Sequence, residues 1–328
     1  MTTSPNIDHR VLVAGAGEMG RAHVAALKGL GVGAVAVCAP SSRNQGAVEE
    51  LGAEFFAGPL ADTIGKFAPT HLVIAAPVER LAEETINAIN AGVREIMIEK
   101  PAVLYGDEGQ QLQTAAAAAG ARIVVGYNRR YYGSVAKALA LIAESGEQVT
   151  SINFEFTEWS HIISTLTNQS EATKARWILA NSMHVIDTAF LPVGLPDTAR
   201  SQFISAGELD WHPTAQFAGA GLTEEGVPFS YSANWDAPGR WGFEWLTPSR
   251  RYIFRPLEKL HVTDKGTVAV NEIPLDDDLD QRFKPGLYRQ NEAWLSGAQD
   301  TRLCDLDKAI ELVGLAERIG GYPRTPHG

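Results

Sequence analysis

The chain has 328 residues, 45% of them hydrophobic and 20% charged, which is the balance of a folded protein long enough for two domains. Its formal net charge of −11 argues against a nucleic-acid partner, because neutralising phosphates requires a basic face. Neither an apolar leader nor a run of about 18 apolar residues occurs, so we expect a cytoplasmic protein without a membrane partner. The two cysteines, Cys38 and Cys304, lack metal-type spacing; we expect them to be small buried hydrophobic residues and expect no metal site.

The first ~125 residues alternate short apolar runs with segments of helical periodicity, the pattern of βαβ units around a parallel sheet. Strands are predicted at residues 10–14, 34–38, 71–76, 95–99 and 121–125, and helices at 19–28, 79–91 and 107–119. Nearly continuous apolar strands of this kind are buried on both faces, as in doubly wound α/β folds. We therefore predict an α/β protein whose residues 1–126 form a dinucleotide-binding Rossmann domain.

The sequence pattern changes after Gly126. Residues 148–159 predict a strand with Ile152, Phe154 and Phe156 on its buried face. Further strands are predicted within residues 200–272, including 229–235, 242–245 and 251–254, and helices at 134–144, 287–295 and 306–319. We therefore predict that residues 127–328 form one α+β domain around an open, mainly antiparallel sheet.

A glycine-rich motif, GAGEMG, follows the first predicted strand and opens the first helix. In that context the motif is typical of a loop that binds a dinucleotide. Gly15 permits a tight turn, Gly17 lets the backbone approach a pyrophosphate, and Gly20 lets the helix pack on the strand. Glu18 and Met19 lie at the amino end of the helix, where backbone N–H groups face phosphate, and complete the predicted pyrophosphate site.

The end of the second strand indicates which cofactor is preferred. NAD-binding domains usually carry an Asp or Glu about 20 residues beyond the glycine motif, where it accepts hydrogen bonds from the ribose. Here that position is Ala39, and it is followed by Ser41, Ser42 and Arg43. Two hydroxyls and a guanidinium suit a 2′-phosphate, so we predict NADP in preference to NAD. A solvated turn is the alternative interpretation.

A lysine, Lys100, follows the strand predicted at 95–99, between Glu99 and Pro101. In open α/β sheets ligands bind at the carboxyl ends of the strands. A lysine at that edge can hydrogen-bond both a substrate hydroxyl and the nicotinamide ribose, which makes Lys100 a candidate catalytic and substrate-binding residue.

Four motifs carry a resemblance to a known family: GAGEMG at 15–20, AAP at 75–77, EKP at 99–101 and GYNRRYY at 126–132. The chain resembles the glucose–fructose oxidoreductase/inositol dehydrogenase (Gfo/Idh/MocA) family, closely in its N-terminal half and more loosely beyond it. The resemblance implies hydride transfer between NAD(P) and a carbon of a carbohydrate-like substrate. It further implies a C-terminal domain that binds substrate and joins copies of the chain into a homodimer or homotetramer. The cofactor contacts that it adds are at Ala76, Pro77, Glu99 and Lys100.

Members of this family also carry an Asp-x-x-x-His pair at the start of a helix in the second domain. The corresponding positions here are Ala180 and His184, so the histidine matches and the aspartate does not. The resemblance implies that Lys100 and His184 orient the substrate and transfer its hydroxyl proton. Because an alanine cannot orient an imidazole, another residue must do so. Asn181, as an uncharged partner or merely as the helix cap, and Asp187, as a charged partner, both remain open, and we favour Asn181.

Arg129 and Tyr131 follow the last Rossmann strand, so we expect them near the cleft between the domains and name them as substrate-binding residues. Arginine and tyrosine suit a polyhydroxyl or phosphorylated substrate. Packing at the domain junction is the alternative for both, as it is for the neighbouring Arg130 and Tyr132. A further departure from the family is Leu81, where many members carry a histidine.

The function that these observations favour is an NADP-preferring dehydrogenase or reductase acting on a sugar or sugar derivative. One alternative is an NADP-binding sensor or scaffold that has lost turnover together with the aspartate. Another is a glycoside-cleaving enzyme that uses transient oxidation by its bound cofactor. Proton exchange at a substrate carbon without net change of the cofactor would support this last alternative.

Overall fold

The computed structural model describes residues 9–325. Up to residue 145 the strands and helices are, in chain order, β1 (Arg10–Ala14), α1 (Glu18–Gly29), β2 (Ala34–Ala39), α2 (Gln45–Glu49), β3 (Glu54–Ala57), α3 (Leu60–Phe67), β4 (His71–Ile74), α4 (Leu81–Asn90), β5 (Glu95–Ile98), α5 (Gly106–Ala119), β6 (Arg122–Val125) and α6 (Gly133–Ser145).

Beyond residue 145 they are β7 (Ser151–Phe156), α7 (Ser160–Ile163), α8 (Glu171–Ala175), α9 (Met183–Phe190), β8 (Pro196–Ala206), β9 (Gln216–Thr223), β10 (Pro228–Asn234), β11 (Trp241–Leu246), β12 (Arg250–Phe254), β13 (His261–Asp264), β14 (Asn271–Glu272), α10 (Asp278–Arg282), α11 (Leu287–Leu295), β15 (Cys304–Asp305) and α12 (Leu306–Gly320). The chain forms two compact units. The first comprises the described residues up to Asn128 together with Asp278–Glu311, and the second comprises Arg129–Asp277 together with the described residues after Glu311.

The first unit is built around a seven-stranded sheet in the order β15-β6-β5-β4-β1-β2-β3. All neighbouring strands are parallel except β15, which pairs antiparallel with β6. Apolar residues of its central strands, including Val13, Val73 and Met97, are completely buried, as the predicted burial on both faces requires. The structure thus confirms the Rossmann-type parallel sheet predicted for this part of the chain.

The composition of the first unit differs from the prediction, which assigned all of residues 127–328 to the second domain. Besides the described residues up to Asn128, the first unit contains Asp278–Glu311. Helix α11 packs on α1, and β15 adds a strand to the edge of the sheet. The physical reason is burial, because Trp294 and Leu295 of α11 lie in the hydrophobic core of the Rossmann unit.

The second unit is built around an eight-stranded sheet in the order β14-β13-β12-β11-β7-β10-β9-β8. Its neighbouring strands are antiparallel apart from the parallel pair β7–β10, so the mainly antiparallel sheet is confirmed. Ile152, Phe154 and Phe156 are buried as the alternation predicts, and Phe154 stacks on Tyr231 at 5.2 Å between ring centroids. Helix α9 packs on β7 and β11 and so carries its residues to the centre of the sheet.

Over residues 9–325, no helix is both long and apolar enough to cross a membrane. Cys38 and Cys304 are both buried and neither forms a disulfide, in agreement with their prediction as small hydrophobic residues.

Candidate cofactor site and catalytic groups

The glycine-rich loop of the first unit joins β1 to α1, and packing explains two of its glycines. Gly15 has a φ of 119°, and a side chain there would collide with the carbonyl oxygen of Ala75. A side chain at Gly20 would collide with the carbonyl oxygen of Gly15. These glycines therefore allow the close approach of strand, turn and helix that the motif predicts.

Gly17 has a different environment from the other two glycines. A Cβ atom placed on it would meet no atom within 4 Å, and its backbone caps α1 without a side-chain hydrogen bond. Packing of the described protein therefore gives no reason for a glycine here, whereas a ligand bound over the exposed N–H groups of the helix does. This open space at the amino end of α1 fits the pyrophosphate of a dinucleotide.

The two side chains within the loop lie differently. Met19 is half-buried, whereas Glu18 is exposed and accepts a hydrogen bond from Lys284, 2.9 Å from its Oε1. The hydrogen bond and charge of Lys284 lower the pKa of Glu18. A cofactor contact of Glu18 would therefore come from its backbone N–H, because its carboxylate already has a cation beside it.

The end of β2 carries the residues predicted to choose the cofactor. Ala39 is buried at the last position of the strand, and Ser41, Ser42 and Arg43 are exposed on the short turn that follows. The Ser41 hydroxyl accepts a hydrogen bond from the Arg43 N–H at 3.2 Å. Asn44 fixes the same turn to the glycine loop by donating to the carbonyl of Ala16 at 3.0 Å. The guanidinium is thus presented to solvent beside the loop.

Three loops meet at one edge of the sheet, because β1, β4 and β5 are adjacent and parallel. The glycine loop follows β1, Ala76 and Pro77 follow β4, and Lys100 follows β5. Ala76 and Lys100 are half-buried and Pro77 is exposed. The structure therefore brings these predicted cofactor residues together at the carboxyl edge of the sheet, where ligands of open α/β sheets bind.

The turn that carries Lys100 rests on a buried polar chain that sequence reasoning missed. Glu99 is buried, and its Oε1 lies 2.8 Å from Nε2 of His23, which is completely buried. The other ring nitrogen of His23 lies 3.3 Å from Oδ1 of Asn291 in α11. Glu99 was predicted to contact the cofactor, but its carboxylate is engaged within the protein and fixes the start of the turn. Just beyond, Ala102 holds a left-handed φ of 77°.

In the second unit, His184 lies on α9 and is buried, with its ring 6.5 Å from the ring of Trp241 between centroids. The guanidinium of Arg129 lies over the same indole at 5.0 Å. His184, Trp241 and Arg129 therefore form one cluster. The predicted substrate-binding Tyr131 is completely buried, which favours the packing interpretation for its ring.

Asp187 is not the partner of His184. It accepts hydrogen bonds from both Nε and a terminal nitrogen of Arg130, the first at 2.8 Å, and both side chains are buried. A guanidinium matches the two carboxylate oxygens at once, and an imidazole cannot. The open alternative in which Asp187 orients His184 is therefore wrong.

Asn181 does not cap a helix either. It lies inside a π-helical turn, Ile178–Ser182, which runs directly into α9. The helical backbone already begins upstream of this turn, so the N–H groups that a cap would satisfy are bonded within the helix. Instead, the Asn181 amide donates to both oxygens of Glu158, each at 3.2 Å.

Glu158 is the functional candidate that the sequence reasoning missed. Only 6% of it is exposed, and it also accepts a hydrogen bond from the Ser182 hydroxyl at 2.6 Å. Burial raises the pKa of Glu158 to about 7, although Ser182, Asn181 and the nearby indoles of Trp177 and Trp241 oppose part of the rise. This carboxyl group titrates near neutrality and binds the turn that leads into the helix of a candidate catalytic histidine, an arrangement typical of an active site.

Comparison with known proteins agrees with this geometry. The sequence model of the oxidoreductase family with an NAD-binding Rossmann fold, GFO_IDH_MocA, matches residues 9–127. Residues 9–127 are therefore similar to the Rossmann domain of the Gfo/Idh/MocA family. None of the curated protein sequences compared with the chain matches it.

Solved structures of Gfo/Idh/MocA type share the fold of the whole chain. A levoglucosan dehydrogenase in complex with NADH and levoglucosan has a TM-score of 0.77 at 17% identity, covering 95% of this chain and 96% of that chain. UDP-N-acetylglucosamine 3-dehydrogenase GnnA from Acidithiobacillus ferrooxidans has a TM-score of 0.73 at 15% identity, covering 96% and 98%. An oxidoreductase from Agrobacterium radiobacter in complex with NAD+, L-tartaric acid and magnesium has a TM-score of 0.75 at 13% identity, covering 94% of each chain.

The resemblance to the Gfo/Idh/MocA family gives one departure of this chain a structural setting. Ala180, where the resemblance led us to expect an aspartate, directly precedes Asn181 and Ser182, which both bind Glu158. A signal for Glu158 was present in the sequence, since it continues the alternation of Ile152, Phe154 and Phe156 on the buried face of a strand. An ionisable residue at a position where the strand alternation predicts a buried apolar side chain is a candidate functional residue.

Proposed function

We propose that the protein is an NADP-preferring dehydrogenase or reductase that transfers hydride to or from a carbon of a sugar or sugar derivative. The observation that carries the proposal is the single sheet edge at which the glycine loop, the Ala76–Pro77 turn and Lys100 meet. The sugar dehydrogenases among the solved structures of this fold support the substrate class. The exposed Arg43 beyond a strand that ends in alanine supports the preference for NADP.

The chemistry divides between the cofactor and the protein. When bound, the nicotinamide supplies the acceptor or donor of hydride. The protein must hold the pyrophosphate on the N–H groups of the Gly15–Gly20 loop and must move the proton of the substrate hydroxyl. We assign that proton transfer to Lys100 and His184. In the direction of oxidation a base takes the hydroxyl proton as hydride leaves the carbon, and in the direction of reduction an acid returns it.

Arg129 supports a substrate that carries an anionic or strongly polar group. It is half-buried, it stacks on Trp241, and its buried Nε atom has no hydrogen-bond partner among the described residues. A guanidinium held on an indole near His184 suits the phosphate or the vicinal hydroxyls of a sugar derivative.

A second candidate function, an NADP-binding sensor without turnover, is favoured by one observation. Ala180 removes the carboxylate that would pair with His184, and Asp187 pairs with Arg130 instead. In that case NADP would bind tightly and no sugar would be oxidised.

The Lys100→Met change tests the proposal. Turnover of NADP with the best substrate from a panel of free, acidic, phosphorylated and nucleotide-linked sugars should fall by ~10²-fold or more, because a group that handles the proton is removed. The dissociation constant of NADP, measured by calorimetry, should change less than about threefold, because the glycine loop holds the pyrophosphate.

Lys66→Met on α3, which removes an exposed lysine from the same unit, is the matched control and should change neither quantity. A Lys100→Met enzyme with normal turnover at saturating cofactor would contradict the assignment. Tight NADP binding without turnover of any sugar by the unmodified protein would favour the sensor.

A further inference from the structure

We propose that Glu158 replaces the aspartate missing at position 180 as the acidic group that controls the charge of His184. Glu158 reaches the histidine-bearing helix from β7, rather than from the helix itself. This inference rests on the proposed function in one respect, namely that His184 takes part in proton transfer. In this arrangement Glu158 is a positioning residue, because it acts through His184 and forms no bond with substrate.

The carboxyl group binds the helical turn that contains position 180. Glu158 follows β7 by two residues and is directed to the buried side of the sheet, against which α9 packs. Its two oxygens bind Asn181 and Ser182, the two residues directly after Ala180. A small residue at position 180 leaves room for a carboxylate to approach this turn from outside the helix.

Two connections lead from Glu158 to His184. Asn181, which binds both oxygens of Glu158, belongs to the π-helical turn that runs directly into the helix of His184, so a short stretch of helical backbone joins the two residues. Trp241 is the second connection, because its indole lies near the Glu158 carboxylate and its ring is 6.5 Å from that of His184. The helix turn that carries Asn181 is also fixed at its start, where Ile178 donates its N–H to the hydroxyl of Tyr322 at 3.3 Å.

The buried arginines of the second unit are paired with carboxylates other than Glu158. Arg176 binds the buried Glu317 at 3.0 Å, and Arg130 binds Asp187. Arg129 lies over Trp241, and the charge of Glu158 raises the pKa of buried Tyr322 further above the value that burial causes. No cation lies among the groups that lower the pKa of Glu158. The pKa of Glu158 therefore stays near neutrality. A positive charge on His184 would favour the ionised form of the Glu158 carboxyl group.

This arrangement predicts a defined part for Glu158 in the reaction. In the direction of oxidation the imidazole of His184 would take the proton of the substrate hydroxyl, and a bound nicotinamide would supply the acceptor for the hydride. Glu158 makes and breaks no covalent bond, and its negative charge offsets the new charge of the imidazolium. Oxidation should therefore accelerate as pH rises through about 7, where Glu158 ionises.

The Glu158→Gln change tests this inference by its pH profile. Glutamine keeps hydrogen-bonding atoms for Asn181 and Ser182 but cannot ionise. We expect kcat/KM for oxidation to be lowered ~10- to 100-fold at about pH 8.5 and to approach that of the unmodified enzyme at about pH 6. Glu244→Gln on β11, which alters a carboxylate paired with Arg251 at 3.6 Å, is the control and should leave the profile unchanged. A loss by the same factor at every pH, or no loss, would overturn the inference.

A measurement on the protein without substrate separates this inference from the proposed function. The ring proton signal of His184, identified by its absence in His184→Asn, should titrate ~0.5 pH unit or more higher in the unmodified protein than in Glu158→Gln. An unmoved titration overturns the inference even if sugars are oxidised. A shifted titration without turnover of any sugar upholds it and contradicts the proposed function. Should Glu158→Gln fail to fold, Glu158→Asp keeps the charge and should retain the pH-dependent rise.

Discussion

Arg43 is the exposed side chain that we propose favours NADP over NAD, because the second strand ends in an alanine rather than in a carboxylate. It stands one short turn beyond Ala39, and the Ser41 hydroxyl and Asn44 fix that turn next to the glycine loop. An Asp or Glu at the end of β2 would repel a 2′-phosphate, whereas an arginine beyond it attracts one. We therefore propose that a few residues at this strand end determine the choice of cofactor.

We expect NADP to bind more tightly than NAD, and Arg43→Ala to lower the ratio of their affinities by about 10-fold or more, because one charge-assisted contact is lost. Calorimetric titration with both cofactors measures the ratio. Arg122→Ala, which removes a half-buried arginine that is paired with Glu95 and lies on β6, far from β2 in the sheet, should leave it unchanged. Equal affinities for NADP and NAD in the unmodified protein would contradict the predicted preference.

At the scale of an element, the loop between β1 and α1 contains glycines of two kinds. Gly20 is required by packing, because a side chain there would collide with the carbonyl of Gly15. Within residues 9–325 no atom lies within 4 Å of a Cβ placed on Gly17, so packing does not require a glycine there, whereas a bound ligand would. Stability and cofactor binding should therefore respond differently to the same substitution at the two positions.

We expect Gly20→Ala to lower the melting temperature of the protein clearly, because the helix must move away from the strand. Gly17→Ala should leave the melting temperature nearly unchanged while weakening NADP binding ~10-fold or more, because the added methyl group occupies the approach of the pyrophosphate. Thermal unfolding and calorimetry measure the two effects. A Gly17→Ala protein that binds NADP normally would show that the pyrophosphate does not use this loop.

Elements with a strong local signal were predictable, and those defined by distant contacts were not. The central strands of the first unit are runs of valine and isoleucine, so their burial is evident in the sequence, and the helix at 287–295 was predicted with its observed bounds. Strand β3 was missed because it is a half-exposed edge strand. The π-helical turn was missed because no side-chain pattern reports the altered hydrogen bonds that displaced Asn181 from a helix start.

At the scale of the whole molecule, buried titratable groups set opposing trends of stability with pH. Burial lowers the pKa of His71 and His212 to about 4, so their contribution to stability is present above the ordinary pKa of histidine and is lost as pH falls. Burial raises the pKa of Glu158 to about 7, so its contribution is present below 4.5 and is lost as pH rises through 7. Glu158 is therefore a source of instability in neutral solution.

We expect the free energy of unfolding of Glu158→Gln to exceed that of the unmodified protein increasingly as pH rises from about 5 to about 8. The difference should reach a few kcal/mol at most. Urea unfolding followed by tryptophan fluorescence measures the difference, since Trp159, Trp177, Trp211, Trp235, Trp241 and Trp245 lie in the second unit with Glu158. Both proteins contain the same buried histidines, so the contribution of these histidines cancels in the difference between the two curves of unfolding free energy against pH. A difference that is constant across this range would show that Glu158 ionises at the same pH folded and unfolded.

The return of Asp278–Glu311 to the Rossmann unit has a consequence for how the protein is made. A ribosome releases the six parallel strands of the first unit early, but the helix with Trp294 and the edge strand at Cys304 emerge only after the whole second sheet. The hydrophobic core of the Rossmann unit therefore stays incomplete during synthesis of the second unit. For the same reason, a gene fragment ending at Asn128 would encode an incomplete nucleotide-binding module, and a transplantable version must carry the late segment with it.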